Sequence, residues 1–129
     1  MQTNPAFILK TIAGQALNTL AHLLRTAKQH AAEHEIDEQA LLQMRLYPDM
    51  QTLLWNAQMI SEFAVRTSLR LSGASGDAIP SIPYEESNFA ELIARVEKAL
   101  GAIQQIPDDA LDNCAATVEM PFGPDQVIT

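Results

Sequence analysis

The sequence predicts an all-α fold in one domain, residues 1–129, and three observations support this. Three long segments place apolar residues at steps of three or four, which is the period of an amphipathic helix. Hydrophobic residues make up 47% of the 129 residues but aromatic residues only 5%, which indicates an aliphatic core. Cap residues and prolines fall at the edges of the three segments, where helices begin and end.

The first helix is predicted from Pro5 to about Glu33. Asn4 is expected to cap it, with proline at the first helical position. Its predicted apolar stripe consists of Ile8, Ile12, Ala16, Leu20, Leu24, Ala27 and Ala31. After a break at 34–37, Asp37 is expected to cap a short helix with the sequence EQALLQMRL, residues 38–46.

The second long helix is predicted from Pro48 to Leu71, with Gly73 as a left-handed cap. Its predicted apolar stripe is widened by Leu54 and Phe63 and otherwise consists of Met50, Leu53, Ala57, Ile60, Ala64, Thr67 and Leu71. Residues 73–86 show no helical period, and fully extended they would reach about 45–50 Å. We therefore expect a long crossover loop that lets the next helix run parallel to this one.

The third long helix is predicted from about Asn88 to Gln105, ending before Pro107. Its stripe consists of Phe89, Leu92, Val96, Leu100 and Ile103. Residues 116–129 change to the pattern of two short strands around Gly123-Pro124-Asp125, which predicts a short C-terminal β-hairpin. Three long helices make an incomplete bundle, so we expect a fourth helix to be missing and the open apolar groove to favour a homodimer.

The charge of the chain excludes some classes of partner. The net charge is −8, whereas nucleic acids and anionic membranes attract clustered Lys and Arg. We find no apolar run of membrane-spanning length and no secretory signal. The single cysteine, Cys114, cannot form an internal disulfide and is interpreted as structural. We therefore expect a cytoplasmic protein that binds neither nucleic acid nor membranes.

Several stretches carry a resemblance to a known family. NTLAHLLRTAKQHA (18–31), LLQMRLYPDM (41–50), NFAELIARVEKAL (88–100) and MPFG (120–123) occur in a familiar order and spacing. Together they resemble an uncharacterised bacterial domain-of-unknown-function family within the DinB/YfiT-like superfamily of four-helix bundles. The resemblance implies an up-down-down-up bundle and often a homodimer. Superfamily members resemble metal-dependent transferases and hydrolases that bind a divalent metal through three histidines.

The sequence departs from that pattern at the metal ligands. The superfamily takes one histidine from the second helix and two from the fourth, but the histidines here are His22, His30 and His34. The implied metal site therefore has no counterpart that can be assigned residue by residue. If the chain is a metal-dependent enzyme of this kind, the ligands from the fourth helix would have to lie outside this chain.

The segment RLYPDM, residues 45–50, holds two candidate site residues. Asp49 is expected to open the second long helix at the mouth of the bundle, where a carboxylate could bind a cation or hold a water. The simpler interpretation is a helix start, in which Asp49 favours the positive helix end and pairs with Arg45. Both interpretations stay open, and Arg45 and Asp49 are candidate ligand-binding residues.

Two further groups are candidates. His30 and His34 lie four residues apart on one helix face and could share Zn²⁺ or Ni²⁺, with Asp37 or Glu38 as a further ligand; the alternative is a solvated helix end. Asp49 is a separate candidate metal ligand. Trp55 and Gln58 could line a small-molecule pocket or a dimer interface, against ordinary packing and exposure. His22 is interpreted as a surface or core-edge residue.

Two hypotheses of function follow. The first is a small-molecule-binding or interaction module without a complete metal site, acting as a homodimer. The second is a metal-dependent, thiol-transferase-like or hydrolase-like enzyme. The absence of a complete ligand set in the sequence favours the first, and whether the chain is an enzyme stays undecided at this point.

Overall fold

The computed structural model describes residues 4–74, 76–112, 120–121 and 127–128. These residues contain four α-helices: α1 (Pro5–Glu33), α2 (Glu38–Leu42), α3 (Leu53–Leu71) and α4 (Phe89–Gln104). A 3₁₀ turn, Gly76–Ala78, lies in the connection before α4. The expectation that a fourth helix is missing is not supported, although α2 has only five residues and the three long helices are those the sequence predicted.

The caps of α1 and α4 are the predicted ones. Asn4 Oδ1 accepts a hydrogen bond from the Ala6 N–H at 2.9 Å, with Pro5 in the first helical position. Asn88 Oδ1 accepts from the Glu91 N–H at 2.9 Å. A side-chain oxygen at the cap satisfies an N–H that has no partner within the helix. The sequence therefore located both helix starts to within one residue.

The second long helix begins later than predicted. Thr52 caps α3 by accepting from the Trp55 N–H at 3.1 Å, so the helix starts at Leu53 and not at Pro48. The short helix α2 likewise ends at Leu42 instead of continuing to Leu46. At its far end α3 closes as predicted, because Gly73 has φ +93° and the Ala74 N–H donates to the Leu69 carbonyl at 3.0 Å.

The long helices run up, down and down. Lys10, near the start of α1, pairs with Asp108, which follows α4, and Arg25, later in α1, pairs with Glu97 in the middle of α4. Helices α1 and α4 are therefore antiparallel. The crossover connection between α3 and α4 ends beside α2, since Glu38 of α2 accepts a hydrogen bond from the Phe89 N–H at 2.9 Å. Since α2 directly precedes α3, helices α3 and α4 begin at the same end and run parallel. The predicted crossover is therefore confirmed.

The core lies mainly between α4 and the other two long helices. The stripe predicted for α4 is confirmed, since Phe89, Leu92, Val96 and Ile103 are fully buried. The stripes predicted for α1 and α3 match the buried faces only in part. Leu24 and Ala31 of α1 and Ala57 of α3 are buried as predicted, whereas Ile8, Ile12, Ile60 and Phe63 are exposed. The buried faces also contain residues outside the predicted stripes: Leu17 and Ala21 of α1 and Ser61, Val65 and Ser68 of α3.

The C-terminal region contributes two very short strands. Strand β1 (Met120–Pro121) pairs antiparallel with β2 (Val127–Ile128), with Met120 opposite Ile128. The predicted turn at Gly123-Pro124-Asp125 lies outside the described residues, as does Cys114. No helix in the described part of the chain has both the length and the hydropathy needed to cross a membrane.

Candidate functional site

The segment RLYPDM forms part of a loop between two helices. The Met50 N–H donates to the Tyr47 carbonyl at 3.0 Å, which closes a turn with Pro48 in its second position. Proline is favoured there because its fixed φ matches the turn. Asp49 therefore lies in a turn and does not open α3, which corrects the predicted helix start.

Arg45 is held by the backbone of the same loop. Its Nη1 donates to the Met50 carbonyl oxygen at 2.6 Å. The predicted pairing with Asp49 is wrong: the ion pairs found among the described residues involve other side chains. Both Arg45 and Asp49 are exposed. The guanidinium is thus positioned by a carbonyl acceptor, which leaves its charge uncompensated by a carboxylate in this loop.

An apolar pocket of about 430 Å³ lies beside this loop, and we call it the loop pocket. Its walls come from α2, the loop and the first turn of α3. Most of the lining found in the described ranges is apolar, with Arg45 as its single charged side chain. These lining residues are Leu41, Met44, Arg45, Leu46, Met50, Gln51, Leu53 and Asn56. Small-molecule sites are typically apolar cavities of this size with a few polar groups. Asp49 and Trp55 do not line the loop pocket.

The apolar side chains of the loop pocket are unusually exposed. Leu46 is 93% exposed, Met44 58% and Met50 47%. A single exposed apolar residue is common at a protein surface, but a cluster of them around a concavity indicates a binding surface. The structure thus brings Arg45 into a site that the sequence located only as a possible rim of the bundle.

Gln58 lies elsewhere, in a buried polar cluster. It is 4% exposed, whereas the sequence suggested an exposed residue, and its Nε2 donates to Glu86 Oε2 at 2.8 Å. The cluster joins α3, α4 and the crossover connection. We call it the Arg95 cluster, and it consists of Gln58, Ser61, Glu62, Arg66, Tyr84, Glu86 and Arg95.

Arg95 is the centre of this cluster. Its side chain is 4% exposed and its Nη1 donates to Glu86 Oε1 at 2.9 Å and to the Pro83 carbonyl at 2.8 Å. Its Nε donates to Ser61 Oγ at 2.9 Å. The guanidinium carbon also lies 4.9 Å from the centre of the Tyr84 ring. These contacts fasten residues 83–86 of the crossover to the two parallel helices.

Hydrogen bonds favour the charged form of the Glu86 carboxylate in this cluster. Burial alone would raise the pKa of Glu86, but the hydrogen bonds from Gln58 and Arg95 outweigh it and lower that pKa. The Tyr84 hydroxyl donates to Glu62, which also accepts from Arg66 Nη1 at 2.8 Å. A buried ion pair with these extra partners specifies one position for the connection. The cluster is therefore a structural fastening in its described contacts.

The sequence carried a signal for Arg95 that pattern reading missed. Arg95 lies three residues after Leu92 and one before Val96, on the edge of the α4 apolar stripe. A charged residue at such a position is buried only when it has partners, so it should have prompted a search for a carboxylate. Glu86, nine residues earlier, was the candidate.

The predicted histidine pair is close but exposed. The ring centroids of His30 and His34 are 4.2 Å apart, and His34 Nδ1 lies 3.0 Å from the His30 carbonyl oxygen. Nowhere in the described ranges do three His, Cys, Asp or Glu residues gather as a metal site would require. Helix α3 contains no histidine, so the three-histidine set of the superfamily does not fit these residues. Metal binding by the pair stays a prediction.

Comparisons with known proteins identify the fold and the family. The model of a family described as a domain of unknown function, DUF1993, matches residues 8–128. The fold is similar to the crystal structure of a DinB family member protein from Shewanella denitrificans, with a TM-score of 0.78 and 23% identity. The similarity covers 88% of this chain and 63% of that one, so this chain spans less than two thirds of that protein's length. A search of curated proteins gives no match. The resemblance to an uncharacterised DinB-like domain is confirmed.

Proposed function

The chain belongs to the DUF1993 family, whose function is unknown, and we propose that it is a binding module for a small organic molecule. The loop pocket is the proposed site. The observation that supports this most strongly is the combination of a concavity of about 430 Å³ with apolar walls and exposed lining residues. When a ligand displaces water from apolar side chains in a concavity, the free energy of the system falls, and this favours binding.

The position of the loop pocket supports the same proposal. Two backbone hydrogen bonds shape it, from the Met50 N–H to the Tyr47 carbonyl and from the Leu53 N–H to the Met44 carbonyl, each 3.0 Å long. Leu42, the last residue of α2, is fully buried and anchors that wall to the core. A pocket whose backbone is held in this way is largely formed before the ligand arrives, which reduces the entropy cost of binding.

A neutral apolar probe tests this proposal. We expect isothermal titration calorimetry with 1-octanol to show saturable binding to the wild-type chain. Leu46→Asp should abolish this binding, because it places a charge on the pocket wall. Leu46 is 93% exposed, so this change should leave the fold intact.

The matched control is Leu23→Asp, which changes a leucine that is 57% exposed on α1 and does not line the pocket. It should bind 1-octanol as the wild type does. Equal loss of binding in both variants would show that the alcohol binds to apolar surface in general. Absence of binding to the wild type would contradict the proposed function.

We also propose that the chain forms a homodimer. Ile12 of α1 is 64% exposed and Phe63 of α3 is 57% exposed, so both helices present large apolar side chains to water. Burying such residues against a second copy would remove apolar area from water. Light scattering across a dilution series should show a dimer that Phe63→Asp converts to a monomer. A monomer at every wild-type concentration would contradict this proposal.

The alternative function, a metal-dependent enzyme, stays a prediction. A metal centre would need three or more ligand side chains in one place. The described residues offer the exposed pair His30 and His34 on α1, with Asp49 in the loop. We therefore derive no reaction step for this chain.

A further inference from the structure

We infer that the ligand of the loop pocket is an amphipathic monocarboxylate, with its carboxylate on Arg45 and its hydrocarbon body against the apolar wall. This inference rests on the proposed function and adds the chemical class of the ligand. It depends on three observations: the charge of the pocket lining, the way Arg45 is held, and the mostly apolar character of the rest of the lining.

The charge of the lining favours an anion. Among the residues that the structure describes, Arg45 is the only charged side chain that lines the loop pocket, and no Asp or Glu lines it. The whole chain carries a net charge of −8, so a lone cation in an apolar concavity stands out against its surroundings. At short range the guanidinium would repel a cationic ligand and attract an anionic ligand.

The contact to the Met50 carbonyl prepares Arg45 for a carboxylate. Nη1 donates to that oxygen at 2.6 Å, which holds one nitrogen of the guanidinium at the turn. A guanidinium has five N–H donors in a rigid fork, so one contact to a carbonyl leaves others for a ligand. Two parallel N–H donors match the two oxygens of a carboxylate, which is why arginine recognises this group.

The rest of the lining matches a hydrocarbon body. Leu41, Met44, Leu46, Met50 and Leu53 supply the apolar wall, and the unbranched methionines can adjust to an irregular chain. The Asn56 amide offers little more to a charged ligand. Asn56 Nδ2 already donates to the Thr52 carbonyl at 2.8 Å and to the Gln51 carbonyl at 3.3 Å. The lining thus matches a ligand with one anionic group on an otherwise apolar body.

A pair of ligands that differ in the head group tests this inference. Octanoate and 1-octanol have the same chain length, and both are titrated calorimetrically into the wild type, Arg45→Gln and Arg70→Gln. We expect the wild type to bind octanoate more tightly than 1-octanol. Arg45→Gln should weaken octanoate binding about fivefold, as expected for a partly exposed charge-assisted contact, and should change 1-octanol binding much less, because the alcohol carries no charge.

Arg70→Gln is the matched control, because Arg70 lies in the last turn of α3 and does not line the pocket. It should bind both ligands as the wild type does. Octanoate and 1-octanol binding that are both unaffected by Arg45→Gln would overturn the carboxylate contact while leaving the proposed pocket standing. Absence of binding by both ligands would overturn the proposed function and this inference with it.

Discussion

Replacing Arg95 by methionine should destabilise the fold strongly. Methionine keeps the length and much of the volume of the buried stem but removes every donor. Three acceptors then lose their partner: Ser61 Oγ, the Pro83 carbonyl and Glu86 Oε1, which accept from Arg95 at 2.8–2.9 Å. Removing one partner of a buried ion pair costs about 3–5 kcal/mol, because the other charge is left uncompensated.

The burial of this pair places the expected loss near that range. The side chains of Arg95 and Glu86 are only 4% and 13% exposed, so water cannot readily replace the lost contacts. For a domain of this size we expect the midpoint of thermal unfolding to fall by roughly 10–20 °C. Urea unfolding followed by circular dichroism gives the free energy of unfolding directly.

The control is Arg25→Met, at an exposed ion pair. Arg25 pairs with Glu97, and their side chains are 53% and 54% exposed. Exposed pairs contribute about 0–1 kcal/mol, so this variant should unfold near the wild-type midpoint. If Arg95→Met were no more destabilising than Arg25→Met, the argument that the Arg95 cluster fastens the crossover would be refuted.

Three further predictions follow. The pKa of Glu86 is lowered in the fold, so its contribution to stability is present above its unfolded pKa and is lost as pH falls through the folded pKa. Urea unfolding at a series of pH values should show that Glu86→Gln loses less stability at acid pH than the wild type does. An unchanged pH profile in this variant would contradict the prediction. Glu35 has φ +53° after the end of α1, so Glu35→Gly should stabilise by about 1 kcal/mol in the same assay, and a loss of stability would count against this. His30 and His34 offer two nitrogens, so Ni²⁺ should bind weakly and the His30→Ala/His34→Ala variant should not bind it; tight binding that survives the double change would disprove the pair as ligands.

Much of the fold could be predicted because the signals were local. The caps Asn4, Asp37, Asn88 and the glycine at 73 depend on short-range hydrogen bonds and backbone geometry, and all four lie where the sequence placed them. The stripe of α4 was also correct, because its large apolar residues all face one direction. Pro48 misled the prediction of α3, since proline favours a turn as readily as a first helical turn.

The mismatch between predicted stripe and buried face has its clearest physical cause in α3. This helix buries small or polar residues where it packs, such as Ala57, Ser61 and Ser68, while larger residues such as Ile60 and Phe63 stay outside. A count of large apolar residues cannot detect a face of this kind. The same limit hid Gln58 and Arg95, whose burial depends on partners distant in sequence.

Only some of the candidate site residues chosen from the sequence line the loop pocket. Arg45 could be chosen from the sequence because it stands beside a turn rich in apolar residues, and the structure places it in the loop pocket. Asp49 was chosen because it was expected to open the second long helix at the mouth of the bundle, and Trp55 because it lies on that helix. Neither lines the loop pocket. Which side chains meet in a cavity depends on how the loop 43–52 folds against α2 and α3, and local patterns do not encode that.

The most direct test of the proposed binding site is a map of amide chemical shifts during a titration with 1-octanol. The account predicts saturable shifts concentrated in residues 41–56, with little change at the α1 end near Lys10 and Asp108. Shifts spread evenly over the exposed apolar residues, or no shifts in residues 41–56 at saturating probe, would contradict a binding site in the loop pocket.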